Sequence, residues 1–553
     1  MSRRNFCLGA GIVALALADP AVALPPGFKQ QADALLAASY PADGPGAAVV
    51  ISEKGRIVYR GARGLADIDA KRPITPQTVF RIGSITKQFS AAVVLQLAAE
   101  GKLKLSDPIS KYFPDYPQPG ASATVAQLLN HTVGIQSYTG IPGWMVEANT
   151  NRAYTSEQLM AVFKDLPAPS KPGEKFDYNN SGYILVGALI EKVTGNGWAA
   201  EVERRIGKPL GLATLRDGTN ETQVAAMAVG YTDGENGPER ARKIHMSVPG
   251  AAGALIANAE DLATWGNALH HARVVPAPYY AQMIAKTKLA DGTFENYGFG
   301  LSQSQLRGSD AVGHGGGIFG FSSNSIYIPS NDLFVAVLTN SDEPQSNPGM
   351  VMRKLSALAI GKPYASFETV ALDKATVEPL LGVYQFDEAK RTVAMTDGKL
   401  SVRRNDGPET ELFAAGNGRF HYGPDELSWF EISRDATGKP VMAFRPGGED
   451  DVEVGTWSGP VPLVVEVAVP RDKLAAYAGI YTTPMGKATI ALSDGDKLTI
   501  QLAGQPTLAM RATSDSEFAV DKVGAKVSFA SEGGKVSGLE IDHGGRKLPG
   551  TRD

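Results

Sequence analysis

Cysteine is nearly absent: the 553 residues hold one, Cys7. A chain with a single thiol forms no internal disulfide and builds no thiolate metal site. Long apolar runs are missing too. The longest, roughly residues 6 to 18, falls short of the ~20 residues that a membrane helix needs, so no membrane anchor is expected. Nor is there a surplus of positive charge. Lysine and arginine total 54 against 58 aspartate and glutamate, a formal charge of -4, which removes the basic face that nucleic acid binding requires. The chain also has no G-x-S-x-G elbow, no H-E-x-x-H and no Walker A lysine motif. One G-x-G-x-x-G occurs, Gly315 to Gly320. Polar Ser309, Asp310 and His314 precede it and strand-like residues follow, the wrong context for a dinucleotide site.

What is present falls into segments. Arg3-Arg4, an apolar stretch and then Ala21-Val22-Ala23 stand in the order of an export leader. Residues 1–23 resemble a twin-arginine signal peptide, which implies a periplasmic or secreted protein exported already folded, with Cys7 removed by cleavage. At the other end the sequence repeats itself at an offset of 97 residues. Leu381-Gly382-Val383-Tyr384 matches Ala478-Gly479-Ile480-Tyr481, and Asp397 to Val402 matches Asp494 to Ile500. Both copies are short alternating apolar runs parted by Asp-Gly and Gly-Gly turns, the pattern of small antiparallel barrels or sandwiches. Two copies at so long a period make a duplicated domain, not a solenoid. Upstream, helical patterns such as Gln88 to Glu100 mix with strand patterns such as Ala47 to Ser52. The expected division is a leader at 1–23, an α+β domain at 24–365 and two β-domains at 366–466 and 467–553.

Ser84-Ile85-Thr86-Lys87 is the only Ser-x-x-Lys in the chain, and a helical run starts directly after it. Positions three apart share a helix face, so the amine of Lys87 can reach the hydroxyl of Ser84. The helix N-terminus favours an oxygen acquiring negative charge, and a buried lysine with a lowered pKa can serve as the base that a serine nucleophile needs. Alone, the tetrapeptide is equally a helix cap beside a surface lysine. Two further motifs follow. Tyr178-Asn179-Asn180 precedes a helix at Ser181 to Thr194, and His314-Gly315-Gly316-Gly317 stands at the edge of a glycine-rich turn before strands. Taken singly, Tyr178 reads as a half-buried aromatic and His314 as a loop residue.

In this order, Ser-x-x-Lys, Tyr-x-Asn and His-x-Gly resemble the serine β-lactamase and penicillin-binding superfamily, and within it the class C, D-aminopeptidase and esterase branch, peptidase family S12. Val79 to Gly83, Leu128 to Ile135, Pro172 to Phe176 and Ala252 to Leu255 support the likeness, which covers residues 40 to 345. It implies an antiparallel sheet flanked by helices, followed by two lipocalin-like β-barrels as in the bacterial D-aminopeptidases. It implies Ser84 as acyl-enzyme nucleophile, with Lys87, Tyr178 and His314 as its catalytic company. Asn180 would orient the lysine or substrate, and the oxyanion would sit between the N–H groups of Ser84 and Gly317, with glycine at 316 and 317 leaving room for the acyl group and Gly315 belonging to the same substrate site. One such oxyanion donor is worth ~2.7–4 kcal/mol. No cofactor and no metal is implied. The substrate would be a small peptide, amide or ester. A D-aminopeptidase or D-amino-acid amidase is the leading reading. An esterase, a D,D-peptidase, a transacylase and an acylatable periplasmic sensor stand as alternatives.

Several conspicuous residues receive bland roles. His131 and Thr132 fix loop hydrogen bonds, His270 and His271 cap a helix, and Trp429, Phe430 and Trp457 are core. The family pattern breaks at its third motif, where β-lactamases and D,D-carboxypeptidases carry Lys-Thr/Ser-Gly to hold a substrate carboxylate. Here stand His314, mostly neutral near pH 7 when unperturbed, and Gly315, which has no hydroxyl. A chromogenic cephalosporin at micromolar concentration is therefore expected to turn over slowly or not at all, measured by its absorbance change.

Overall fold

The computed structural model describes residues 24–396, 398–405, 407–423, 426–462, 466–493 and 497–553. The leader, with Arg3, Arg4, Cys7 and Ala21 to Ala23, and the turn residues Asp397 and Asp494 to Asp496 lie outside them. The chain forms two compact units, one ending at Pro363 and one beginning at Tyr364.

The first unit is built on a six-stranded antiparallel sheet. Its strands are β1 (Ala47–Glu53), β2 (Arg56–Arg63), β3 (Ser302–Leu306), β4 (Ser309–Ile318), β5 (Phe321–Ile328) and β6 (Leu333–Thr339), in spatial order β3-β4-β5-β6-β1-β2. The adjacent interior strands β1 and β6 are buried almost without interruption. Continuous apolar runs such as Leu333-Phe334-Val335-Ala336-Val337-Leu338 belong in strands covered on both faces. Helices α1 (Phe28–Ser39), α4 (Ala259–His270) and α5 (Pro348–Ala359) pack on the sheet, while α2 (Thr86–Ala99) packs against α3 (Asn180–Thr194) and the short helix Gly250–Gly253.

Helix α2 is buried around nearly its whole circumference, as a helix apolar on every side must be. The buried polar residues of its first turns are partnered. Thr86 Oγ1 accepts the N–H of Leu255, Gln88 Oε1 accepts from Trp265, and Ser90 donates to the carbonyl of Ala251. Phe89 stacks on Trp265 at 4.1 Å between ring centroids. Lys87 therefore enters the interior because the helix carrying it is an interior helix.

The second unit contains a closed eight-stranded antiparallel barrel running from Gly479–Thr483 to Arg546–Arg552, and before it a nine-stranded antiparallel sheet. Two lipocalin-like barrels are the expectation; one closes, and the other is a nine-stranded sheet in which one strand is split at Leu412. Glu409–Glu411 pairs with Lys399–Arg404 on one edge, Phe413–Ala414 pairs with Arg419–His421 on the other, and the N–H of Leu412 donates to the carbonyl of Leu400. The two edge strands are thus consecutive in the chain, and the sheet nearly closes on itself.

The repeated Gly-x-Tyr has a physical reason. Tyr384 and Tyr481 are both fully buried in their cores, and each hydroxyl donates to the carbonyl four residues upstream, Leu380 at 2.5 Å and Tyr477 at 2.7 Å. A large ring thereby pins the segment that enters the first strand of each copy, and its polar end is satisfied in the same step. Phe430 is wholly buried in the first copy's core and Trp457 packs against it, while half-buried Trp429 stacks under Arg445 at 4.3 Å. Tyr384→Phe and Tyr481→Phe are each expected to cost about 1 kcal/mol, alike in the two copies, as read by chemical denaturation followed by tyrosine and tryptophan fluorescence.

Candidate active site

Ser84 sits in a tight 3-10 turn, Gly83–Ile85, that runs directly into α2. The turn is pressed against β4. Gly83 has φ +52°, and a Cβ there would stand 2.9 Å from the backbone nitrogen of Gly317; a Cβ on Gly316 would stand 2.0 Å from the carbonyl oxygen of Ile82. Only glycine permits two backbones to meet so closely. Ser323 stitches the contact by donating to the carbonyls of Ile82, at 3.1 Å, and Gly316, at 3.2 Å.

This corrects two expectations. Gly315, Gly316 and Gly317 do not form a turn; they lie inside β4, paired with Asn324, Ser323 and Ser322 of β5. Gly316 is glycine because of Ile82, not because an acyl group needs the room. At Gly317 a Cβ would meet nothing within 4 Å, so that position faces open space.

Lys87 is fully buried. Its Nζ donates to Ser84 Oγ at 3.0 Å, Asn180 Oδ1 at 2.9 Å and the carbonyl of Ala252 at 2.9 Å. All three partners are uncharged: the ammonium would donate to each, whereas the neutral amine donates to two of them and turns its lone pair to the Ser84 hydroxyl. Burial pushes the amine well below its ordinary pKa. The rings of Tyr178 and Tyr183 lie 4.7 and 5.4 Å from Nζ, a milder attraction for a cation than a carboxylate supplies.

The second motif is positioned by the start of α3. Asn179 caps the helix, its Oδ1 accepting the N–H of Gly182 at 2.9 Å while its Nδ2 donates to the carbonyl of Ile135 at 2.6 Å. Asn180 is held between Lys87 and Thr139, to whose Oγ1 it donates at 3.1 Å. Tyr178 is 38% exposed. Desolvation raises its hydroxyl above the ordinary tyrosine range, and a hydrogen bond with Ser84 acts in the opposite direction.

His314 is buried on β4 with both ring nitrogens engaged, Nε2 with Tyr297 Oη at 2.8 Å and Nδ1 with the carbonyl of Gly315 at 2.5 Å. Burial first, and then the nearby charge of Lys87, hold it down to about 4. His131 does more than fix a loop. It is fully buried, accepts the N–H of Asn179 and contacts the Tyr178 ring at 4.3 Å. His270 stacks on Tyr327 at 4.0 Å and bonds Tyr280, and His271 pairs with Asp332.

The residues that the motifs did not reveal are the Ala252 carbonyl, Thr139 and Tyr297. A backbone acceptor has no side-chain signature, and Tyr297 is separated from each of its partners by loops that only the fold brings together. Beside Ser84 lies a pocket of about 130 Å³. Its wall includes Asn180 and Gly317, and the neutral side chains of Met145, Ile244, Val248 and Phe319.

The family model described as Beta-lactamase matches residues 34–359. A D-aminopeptidase of Gluconobacter oxydans is 26% identical over 479 residues, 83% of this chain and 82% of that protein. Esterase EstB of Burkholderia gladioli is 31% identical over 231 residues, 38% of this chain and 56% of its own length. Among solved structures, the D-amino acid amidase from Ochrobactrum anthropi SV3 complexed with L-phenylalanine aligns with a TM-score of 0.53 at 25% identity, covering 60% of this chain and 99% of that one.

The two glycines give a paired prediction. Gly316→Ala is expected to lose roughly 1–3 kcal/mol or more through forced separation of β4 from Ile82, whereas Gly317→Ala leaves stability close to that of the parent. Thermal denaturation of the two variants side by side measures the difference.

Proposed function

The chain belongs to the β-lactamase family, and on that premise we propose that it is a D-aminopeptidase or D-amino-acid amidase that forms its acyl-enzyme on Ser84. At the coarser level it is a serine hydrolase of amide or ester bonds. The leader-like residues 1–23 support export of the folded chain to the periplasm or beyond, and we assign one catalytic domain to 24–365 and two barrel domains to 366–466 and 467–553.

The observation that carries the reading is the Ser84–Lys87 pair, a hydroxyl 3.0 Å from an amine that burial drives toward its neutral form. Ser84 Oγ attacks the substrate carbonyl and passes its proton to Lys87 Nζ. The negative oxygen is stabilised by the N–H groups of Ser84 and Gly317. When the tetrahedral adduct collapses, the proton returns through Lys87 and Tyr178 to the leaving amine or alkoxide. Water then attacks the acyl carbon, its proton goes to the same pair, and Ser84 is released. Tyr178, with its pKa raised, remains protonated at neutral pH and acts as donor and shuttle rather than as a preformed phenolate. His314 has no free ring nitrogen to offer, and its contribution is to hold β4 in place.

The pocket supports small substrates: about 130 Å³ is well below the several hundred that drug-sized ligands occupy. Its neutral wall lacks the cation that a terminal carboxylate would require, which favours amidase over carboxypeptidase chemistry. The same apolar wall gives the esterase its standing as second reading.

The test compares D-alanine and L-alanine p-nitroanilides, with p-nitrophenyl acetate as the ester. Turnover of the D-anilide alone, abolished in Ser84→Ala, is the expected result. Ester turnover without either anilide would replace the proposal with the esterase. Lys87→Ala is expected to lower acylation by about 10²–10⁴-fold. Because the lysine must be neutral, the rate should fall as pH drops through its lowered pKa, with no loss from Tyr178 below pH 10.

A further inference from the structure

We propose that His131, Tyr297 and His314 form one directed hydrogen-bond chain that clamps the segment bearing Tyr178 and Asn180 to the strand edge bearing Gly317, making His131 and Tyr297 positioning residues for acyl transfer. The inference rests on the acyl-enzyme reading above. It assigns work to two buried groups outside the three motifs.

The direction of the chain follows from which atoms can donate. The N–H of Asn179 donates to His131 Nδ1 at 3.0 Å, so Nδ1 carries no proton. Neutral His131 then carries its proton on Nε2, which lies 3.1 Å from Tyr297 Oη and donates to it. The tyrosine has one proton of its own, and it points at His314 Nε2, 2.8 Å away. His314 is left with its proton on Nδ1, 2.5 Å from the carbonyl of Gly315, an acceptor. Each link fixes the next, and no donor faces a donor.

The ends of the chain give it consequence. Asn179 lies between Tyr178 and Asn180, and Gly315 is two residues before Gly317 on the same strand. The two sides of the cleft are 136 residues apart in sequence at Tyr178 and His314, and the Tyr297 hydroxyl is the joint between them. The Tyr297 ring lies among aromatic neighbours, its centroid 4.8, 5.6, 5.5 and 6.1 Å from those of His131, His314, Phe176 and Tyr178. No water is needed to complete the chain.

Both histidines must stay neutral. A proton added to His131 Nδ1 would face the Asn179 N–H, and one added to His314 Nε2 would face the Tyr297 hydroxyl. The groups around them agree. His131 is packed among Phe176, Tyr178, Tyr183 and Tyr297, and His314 against Tyr178 and Tyr297; Lys87 is the charge that acts on both, and His314 acts on His131 as well. Burial and those charges lower both pKa values, His314 to about 4. The contribution of His314 to stability is therefore complete above the ordinary histidine value of 6.5 and is lost as pH falls toward 4, and that of His131 is lost in the same direction.

Two variants and one spectrum test the chain. Tyr297→Phe keeps the ring and removes the joint. His131 has φ 61°, a conformation asparagine tolerates, so His131→Asn retains an acceptor for the Asn179 N–H while losing the link to Tyr297. Each is expected to slow labelling of Ser84 by a fluorophosphonate about 10- to 100-fold through misplacement of the reacting groups. The double variant should be no slower than either single one, because both cut the same chain. In Tyr297→Phe the acid limb of the rate should move to higher pH, since a proton on His314 Nε2 no longer meets a hydroxyl hydrogen. In 15N-histidine-labelled wild-type and Ser84→Ala protein at pH 7, long-range 1H–15N spectra should show His131 protonated on Nε2 and His314 on Nδ1. Either histidine in the opposite tautomer or charged at pH 7, or wild-type labelling rates and pH profile in Tyr297→Phe, would overturn the proposal. If wild-type Ser84 is not labelled at all, the acyl-enzyme reading fails, and the spectra still decide whether the chain exists.

Discussion

A buried amine with three neutral acceptors and no carboxylate is the constraint on which the site depends. In water Lys87 would carry its charge; inside α2 the charge has lost its hydration and gained only Ser84, Asn180 and the Ala252 carbonyl. A carboxylate in place of any one of them would have held the proton on the lysine and removed the base. The surrounding structure is what keeps water and acidic groups away. Helix α2 is covered on all sides, α3 brings Asn180, and the short helix Gly250–Gly253 turns its Ala252 carbonyl inward.

The second constraint is backbone contact. Ser84 and the N–H of Gly317 belong to different halves of the first unit, and their relative position is fixed because Ile82 and Gly316 meet with no side chain between them. Interiors are packed as tightly as molecular crystals, so such a contact admits little play. A loop carrying the same residues would not hold them so closely. The donor geometry is thus the consequence of an antiparallel strand edge running past a tight turn, stitched by one serine hydroxyl.

The duplicated half shows how a repeat keeps its physics while its topology drifts. Both copies retain the tyrosine that seals its own entry segment. In one copy the barrel closes by strand pairing, whereas in the other a strand divided at Leu412 leaves two short edges joined by the chain itself. A split strand costs few ladder bonds because its two pieces pair with different neighbours.

The sequence by itself determined the local things: the Ser-x-x-Lys spacing that puts two side chains on one helix turn, the Tyr-x-Asn start of α3, the strand runs of β1 and β6, and the repeat. Those follow from periodicity and adjacency, which a linear string records. It also carried the β-lactamase family likeness, because three motifs in fixed order are improbable by chance. Tertiary structure alone decided that Ala252 supplies a carbonyl to Lys87, that glycine at 316 answers to Ile82, and that His131, Tyr297 and His314 share protons. Each of these is a relation between atoms brought together from loops and strands far apart in the chain. Such proximity leaves no periodic trace in the order of residues; it arises only when the sheet and helices have packed.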